Sequence, residues 1–116
     1  MIVPAWGGAR SRRLVRLCLA VKGTTCHLCG EPGADSADHD PPRSQLIRLG
    51  VPDPDLIEWL WPAHLACNLW RRDRLLDDAL LAEAREARAA RMGRAPNATD
   101  ARRSPALSAR RPPRAF

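Results

Sequence analysis

Two stretches of the chain place apolar residues at helical spacing, and the segment between them does not. In residues 10–21, Leu14, Leu17, Cys18 and Val21 share one face and arginines occupy the other. This predicts an amphipathic helix ended by Gly23. From His64 onward, Leu65, Leu69, Leu76, Leu80 and Ala84 follow a three-to-four spacing, which predicts one long helix to about Met92, before Gly93. Between them, Thr24–Gly30 reads as a tight knuckle and residues 31–41 as turns and short extended pieces. Ala37–Asp40 is expected as a short strand. Ser44–Leu49 is expected as one or two helical turns stopped by Gly50. Residues 51–55 form a loop, and Leu56–Trp61 is expected to be extended up to Pro62. No internal repeat is present, and the pattern as a whole is α+β.

Length narrows this picture. The 116 residues allow one domain. Residues 93–116 carry six arginines and only Leu107 and Phe116 as large apolar side chains, so this tail is expected to be disordered. The division is then a basic arm and helix at 1–22, a folded unit at 23–92 and a basic tail at 93–116. A unit of that size usually needs a metal or a disulfide to hold it.

Charge adds a partner. The net charge of +6 divides into +5 for residues 1–22, −4 for 23–92 and +5 for 93–116. Basic arms around an acidic centre suit a nucleic-acid binder whose acids hold a metal; arginine simply standing for lysine is the plainer alternative. Met1–Ala9 does not read as a signal peptide, and no apolar run reaches the length of a membrane span. A cytoplasmic, reducing compartment is therefore expected, where a close cysteine pair signals metal or redox chemistry more than a disulfide.

Cys26 and Cys29 form C-x-x-C, and His64 and Cys67 form H-x-x-C after 34 intervening residues. Three thiolates and one imidazole are a standard structural Zn²⁺ set, and two residues between paired ligands let one turn aim both at the same ion. His27, inside the first knuckle, is expected to point outward. Cys18, on the apolar helix face, reads as a small buried hydrophobe.

The gap between the knuckles holds the most polar cluster, Ala37-Asp38-His39-Asp40. Phosphodiester hydrolysis needs a base to activate water, a cation to stabilise developing charge, and groups that fix the phosphate. A neutral imidazole is a suitable base, and a carboxylate suits Mg²⁺ or Mn²⁺. Asn68, directly after Cys67, could add an amide oxygen. As a plain structural alternative, Asp38 is a turn residue, His39 a half-buried histidine and Asn68 a helix-surface residue.

TCHLCG, ADHDPP and WPAHLACN, in that order, make residues 6–75 resemble the HNH endonucleases, in particular the small forms of bacteriophages and actinobacteria. The resemblance implies a ββα-metal (His-Me finger) fold stapled by zinc, flanked here by an N-terminal helix and a long C-terminal one. It implies a DNA endonuclease with His39 as general base, and with Asp38 and Asn68 holding a catalytic Mg²⁺, Mn²⁺ or similar ion. The family's middle Asn is replaced by Trp59, so the brace for the base is expected from Asp53, Asp55 or backbone. Arg43, Arg71, Arg72 and Arg74 are expected to face phosphates, or else solvent. Trp59, Trp61 and Trp70 are expected to fill the core. Family association alone suggests a bacterial host cell and a phage packaging partner such as a terminase. Two other readings stand beside this one: a zinc-stapled DNA-binding or phage-assembly module with weak or no catalysis, and a thiol redox protein using Cys26 and Cys29.

Overall fold

The computed structural model describes residues 3–94. The tail expected to be disordered lies outside them from residue 95 onward. The described chain is a small α+β protein in the order α1 (Gly8–Lys22), β1 (Ser36–His39), α2 (Arg43–Arg48), a 3₁₀ turn (Ile57–Trp59), β2 (Leu60–Ala63), α3 (Leu65–Arg71) and α4 (Asp78–Arg91).

Helix α1 starts two residues before the apolar pattern does and ends at Gly23, whose positive φ of 89° a side chain would strain. Its buried face is only partly the predicted one: Leu14 and Cys18 are on it. Leu17 and Val21 are 47% and 63% exposed. Leu14, Val15 and Cys18 instead pack with Ala37 of β1, Leu60 of β2, Trp6 and Ile57. The helix is rotated because Leu19 joins the cluster around the zinc-type cysteines, and because Lys22 reaches inward. The Lys22 ammonium donates to the carbonyls of Ile57 and Leu60 at 2.6 and 2.7 Å and lies 3.8 Å from the centre of the Trp61 ring. The last turn of α1 is thereby tied to the entrance of β2.

The two strands pair antiparallel, with Ser36 opposite Ala63, Asp38 opposite Trp61 and His39 opposite Leu60. Cover from α1 on one side and α3 on the other leaves little of either strand exposed. The stretch expected to be extended from Leu56 begins as a 3₁₀ turn and becomes a strand only at Leu60. Pro62 lies within β2, which a two-stranded sheet tolerates, and its carbonyl accepts from the backbone N–H of His27 at 2.8 Å.

The single long C-terminal helix is replaced by two. Helix α3 ends at Arg71, and Arg72 takes a positive φ of 59°. Arg71 and Arg74 then exchange bonds across the break, each guanidinium Nε donating to the other's carbonyl at 2.9 and 3.0 Å. Asp77 starts α4 by accepting from the Leu80 N–H at 2.7 Å. The break folds α4 back, so that Leu81 and Ala84 pack on Cys26, Leu28, Cys29, Ala63 and Cys67, with Trp70 and Leu76 at the margin. Apolar periodicity runs through the break and conceals it; the capping aspartate is its local signal. Replacing Asp77 by Ala is expected to cost about 1 kcal/mol, read as a lower urea midpoint with an unchanged slope.

Candidate metal centre and the strand beside it

The first knuckle is built by backbone bonds. The Cys26 N–H donates to the Glu31 carbonyl at 2.8 Å, the Gly30 N–H to the Cys26 carbonyl at 2.9 Å, and Ala34 N–H to the Thr24 carbonyl at 2.9 Å. The second is the end of β2 running into the first turn of α3. Their side chains converge: the ligand atoms of Cys26, Cys29, His64 and Cys67 all lie within 4.8 Å of one another, and all four residues are buried. His64 Nδ1 is 3.4 Å from Cys29 Sγ and 3.7 Å from Cys67 Sγ. A tetrahedron with Zn–S of about 2.3 Å and Zn–N of about 2.0 Å has S–N edges of about 3.5 Å, so the spacing fits.

The surroundings also suit a metal. His64 Nε2 donates to the Pro32 carbonyl at 2.9 Å. A carbonyl can only accept, so the proton sits on Nε2 and the Nδ1 lone pair faces the sulfurs. The Arg91 guanidinium donates to Cys67 Sγ at 3.0 Å and the His64 N–H to Cys26 Sγ at 3.4 Å. Hydrogen bonding with Cys29 and Cys67 lowers the Cys26 thiol, while hydrogen bonding with Cys26 and burial push Cys29 and Cys67 up. Three sulfurs crowded in this way gain by losing all their protons to one cation. The cluster could hold a structural metal such as zinc.

Strand β1 sends neighbouring side chains to opposite sides. Asp38 is buried, and its Oδ2 accepts from His27 Nε2 at 2.7 Å and from the guanidinium of Arg71. Burial pushes the Asp38 carboxyl up to about 6, against the charge and hydrogen bond of Arg71. His39, 8% exposed, faces the other way. Its Nε2 meets Asp55 Oδ1 at 2.7 Å, and the Trp6 ring lies in T-shaped contact with it, 4.6 Å between ring centres. Asp55 is held by Arg43 at 2.8 and 3.1 Å and by Arg10 at 2.8 Å. Burial would raise the Asp55 carboxyl, but Arg43, Arg10 and His39 outweigh it and hold it well below the ordinary range. Asn68, on α3, donates from its amide nitrogen to the Ala37 carbonyl at 3.0 Å.

The expected trio is therefore gathered on and around one strand but not onto one point. No hydrogen bond joins the His39 ring to Asp38 or Asn68 among the described residues. Asp38 Oδ1 and Asn68 Oδ1 have no hydrogen-bond partner among those residues. Both are donor types that a magnesium-class ion takes, although Arg71 already neutralises the other carboxylate oxygen.

Three residues differ from expectation. His27 does not point outward; it is buried and links the first knuckle to Asp38. Arg71 faces neither phosphate nor solvent; it is fully buried and also donates to the His39 carbonyl at 3.1 Å and to Asp40 Oδ1 at 3.0 Å. Its position four residues after Cys67 put it on the inward helix face, which was the available signal. Arg43 is taken up by Asp55 and by the Pro4 carbonyl. Arg74 is exposed but folds its guanidinium over Trp70 and onto the Trp70 carbonyl, leaving Arg72 exposed in the region expected to meet phosphates. Of the residues that were candidates to brace His39, Asp55 holds that place, with Asp53 accepting from the Asp55 N–H at 2.9 Å. Trp59 and Trp61 are buried and Trp70 packs at the core margin, as expected. Cys18 is a buried, free thiol, which burial pushes up to about 11.

Fold and site together define a small α+β protein with a buried cluster of three cysteines and one histidine suited to a structural metal. No family model, curated protein or solved structure matches the chain.

Two measurements check the site. The purified chain is expected to carry one zinc, and Cys67→Ser to lose it together with most of its cooperative unfolding, because the ligands are core residues. Metal analysis and thermal denaturation read both. Burial also pushes His39 below its ordinary 6.5, against the hydrogen bond and charge of Asp55 that raise it. The folded chain thus takes up that proton later than the unfolded chain as pH falls, and His39 withdraws stability below about pH 6.5. The stability gap between His39→Gln and the native chain is expected to shrink from about pH 7 to about pH 5, by urea midpoints at each pH.

Proposed function

We propose that this chain is a zinc-stapled, metal-dependent DNA endonuclease of the HNH type, with β1, β2 and α3 as its ββα-metal core. The observation that supports it most is the clasp around β1. The strand carrying Asp38 and His39 pairs with β2 and is tied at Ala37 to Asn68, and β2 and α3 carry the second metal knuckle between them.

In this reading His39 takes the proton from the attacking water. Asp55 holds the imidazole and offsets the positive charge it gains. Asp38 and Asn68 would hold a divalent ion with their remaining oxygens, and that ion would supply Lewis-acid stabilisation to the phosphate. Zinc at Cys26, Cys29, His64 and Cys67 does no chemistry; it fixes the strand and helix that carry the reacting groups. Arg12, Arg13 and Arg16 are exposed on α1 and Arg72 beyond α3, so they can meet phosphates and make binding salt-dependent and largely indifferent to sequence.

A second reading has one observation in its favour: Arg71 occupies the carboxylate of Asp38 where a cation would bind. It makes the chain a zinc-stapled DNA-binding module without catalysis. Nicking of supercoiled plasmid with Mg²⁺ or Mn²⁺ separates the two. The nuclease reading expects cutting by the native chain and a loss of about 10²-fold or more in His39→Ala. Salt-sensitive binding with no metal-dependent cutting favours the module, and equal cutting by both chains removes His39 as the base.

A further inference from the structure

The nuclease reading names a base and its partner Asp55, but says neither which ring nitrogen acts nor what keeps that carboxylate able to fix the tautomer. The surroundings of His39 answer both. Asp55 comes from the loop before the 3₁₀ turn, Arg10 from α1 and Arg43 from the start of α2. All three meet at one buried carboxylate, 2% exposed. Arg43 donates to both of its oxygens and Arg10 to Oδ2. A carboxylate held on both oxygens by guanidinium groups is ionised and can only accept. The ring nitrogen 2.7 Å from it, Nε2, must therefore carry the proton. Nδ1 is left as the lone-pair nitrogen, with no hydrogen-bond partner among the described residues. The Trp6 ring packs against the imidazole in a T-shaped contact.

We propose that Asp55 is the positioning residue for His39: clamped by Arg10 and Arg43, it fixes the Nε2–H tautomer and aims Nδ1 as the atom that accepts the proton of the attacking water. This rests on the nuclease reading for the role of Nδ1, but the hold of Asp55 on the ring stands apart from it. The carboxylate does not touch the reacting atoms. It acts through the ring, as an orienting carboxylate does for a catalytic histidine elsewhere. Two arginines converge on it because a single buried carboxylate beside a neutral imidazole would otherwise be driven toward protonation, and a protonated carboxyl could donate to Nε2 and reverse the tautomer. The sequence has Trp59 where a bracing amide was expected, and Asp55, four residues upstream, supplies an acceptor there.

The test has two arms. Nitrogen-resolved NMR of the His39 ring in the native, zinc-loaded chain is expected to find the proton on Nε2 and a bare Nδ1; a proton on Nδ1 overturns the proposal whether or not the chain cuts DNA. In plasmid nicking, Asp55→Asn is expected to lower kcat about 100-fold or more, with KM for DNA and zinc content near native. A merely structural Asp55 would instead change zinc content or KM along with kcat, and native kcat in this variant overturns the proposal. If Asp55→Asn does not fold, the tautomer of the native chain decides. If the native chain does not cut, the nuclease reading fails, and the tautomer still decides whether Asp55 sets the ring.

Discussion

Four side chains from two distant knuckles meet within the reach of one ion, and most of the chain's geometry is organised around that meeting. Cys26 and Cys29 fix the turn after α1; His64 and Cys67 fix the junction of β2 and α3. The cysteines are at the same time core residues, packed with Leu28, Ala34, Ala63, Leu81 and Ala84. A unit this small has little other apolar material to bury, so the cluster and the core are one structure. Without a cation, three thiols would crowd one buried space. With one, the same crowding becomes a set of bonds that closes the chain between residues 29 and 64.

A second buried network runs from that cluster to the strand. His27 belongs to the first knuckle and donates to Asp38; Arg71 belongs to the helix after Cys67 and donates to Asp38, Asp40 and the His39 carbonyl. Both halves of the metal frame therefore grip β1 through charged hydrogen bonds. Breaking one partner of such a buried set costs more than the set gains over apolar packing, so these contacts specify where β1 sits more than they add stability. On the far side of the strand, Asp55 with Arg10 and Arg43 does the same for His39. The strand is held from both faces by polar groups that leave it little freedom.

Much of this was legible in the sequence, for identifiable reasons. Ligand spacing announced the metal set, because tetrahedral coordination restricts which residues can share an ion. Gly23, the short strand at Ala37–Asp40 and the helical turns after Pro42 followed from local chemistry. What escaped depends on tertiary contact. The rotation of α1 was set by Lys22 and Leu19 finding partners in β2 and the cysteine cluster, which periodicity cannot show. The break between α3 and α4 was hidden because Leu76, Leu80 and Ala84 keep helical spacing through it. His27 and Arg71 looked like surface residues because polar side chains usually are; only the presence of a buried Asp38 makes their burial reasonable. Asp55 could be named as one of several candidates, but the arginines that lock it come from elements 12 and 45 residues away in sequence.

In the proposed function, a structural metal holds the strand that would carry the reacting groups. The most direct measurement is cleavage of a labelled DNA duplex, with Mg²⁺ in excess throughout, before zinc is ejected by a thiol-selective reagent, after ejection, and after reduction and return of one equivalent of zinc. The account predicts cutting that disappears with the zinc and reappears when it is restored. Cutting that persists undiminished in the zinc-free chain would contradict it, because the residues on β1 would then act without the frame that is argued to hold them.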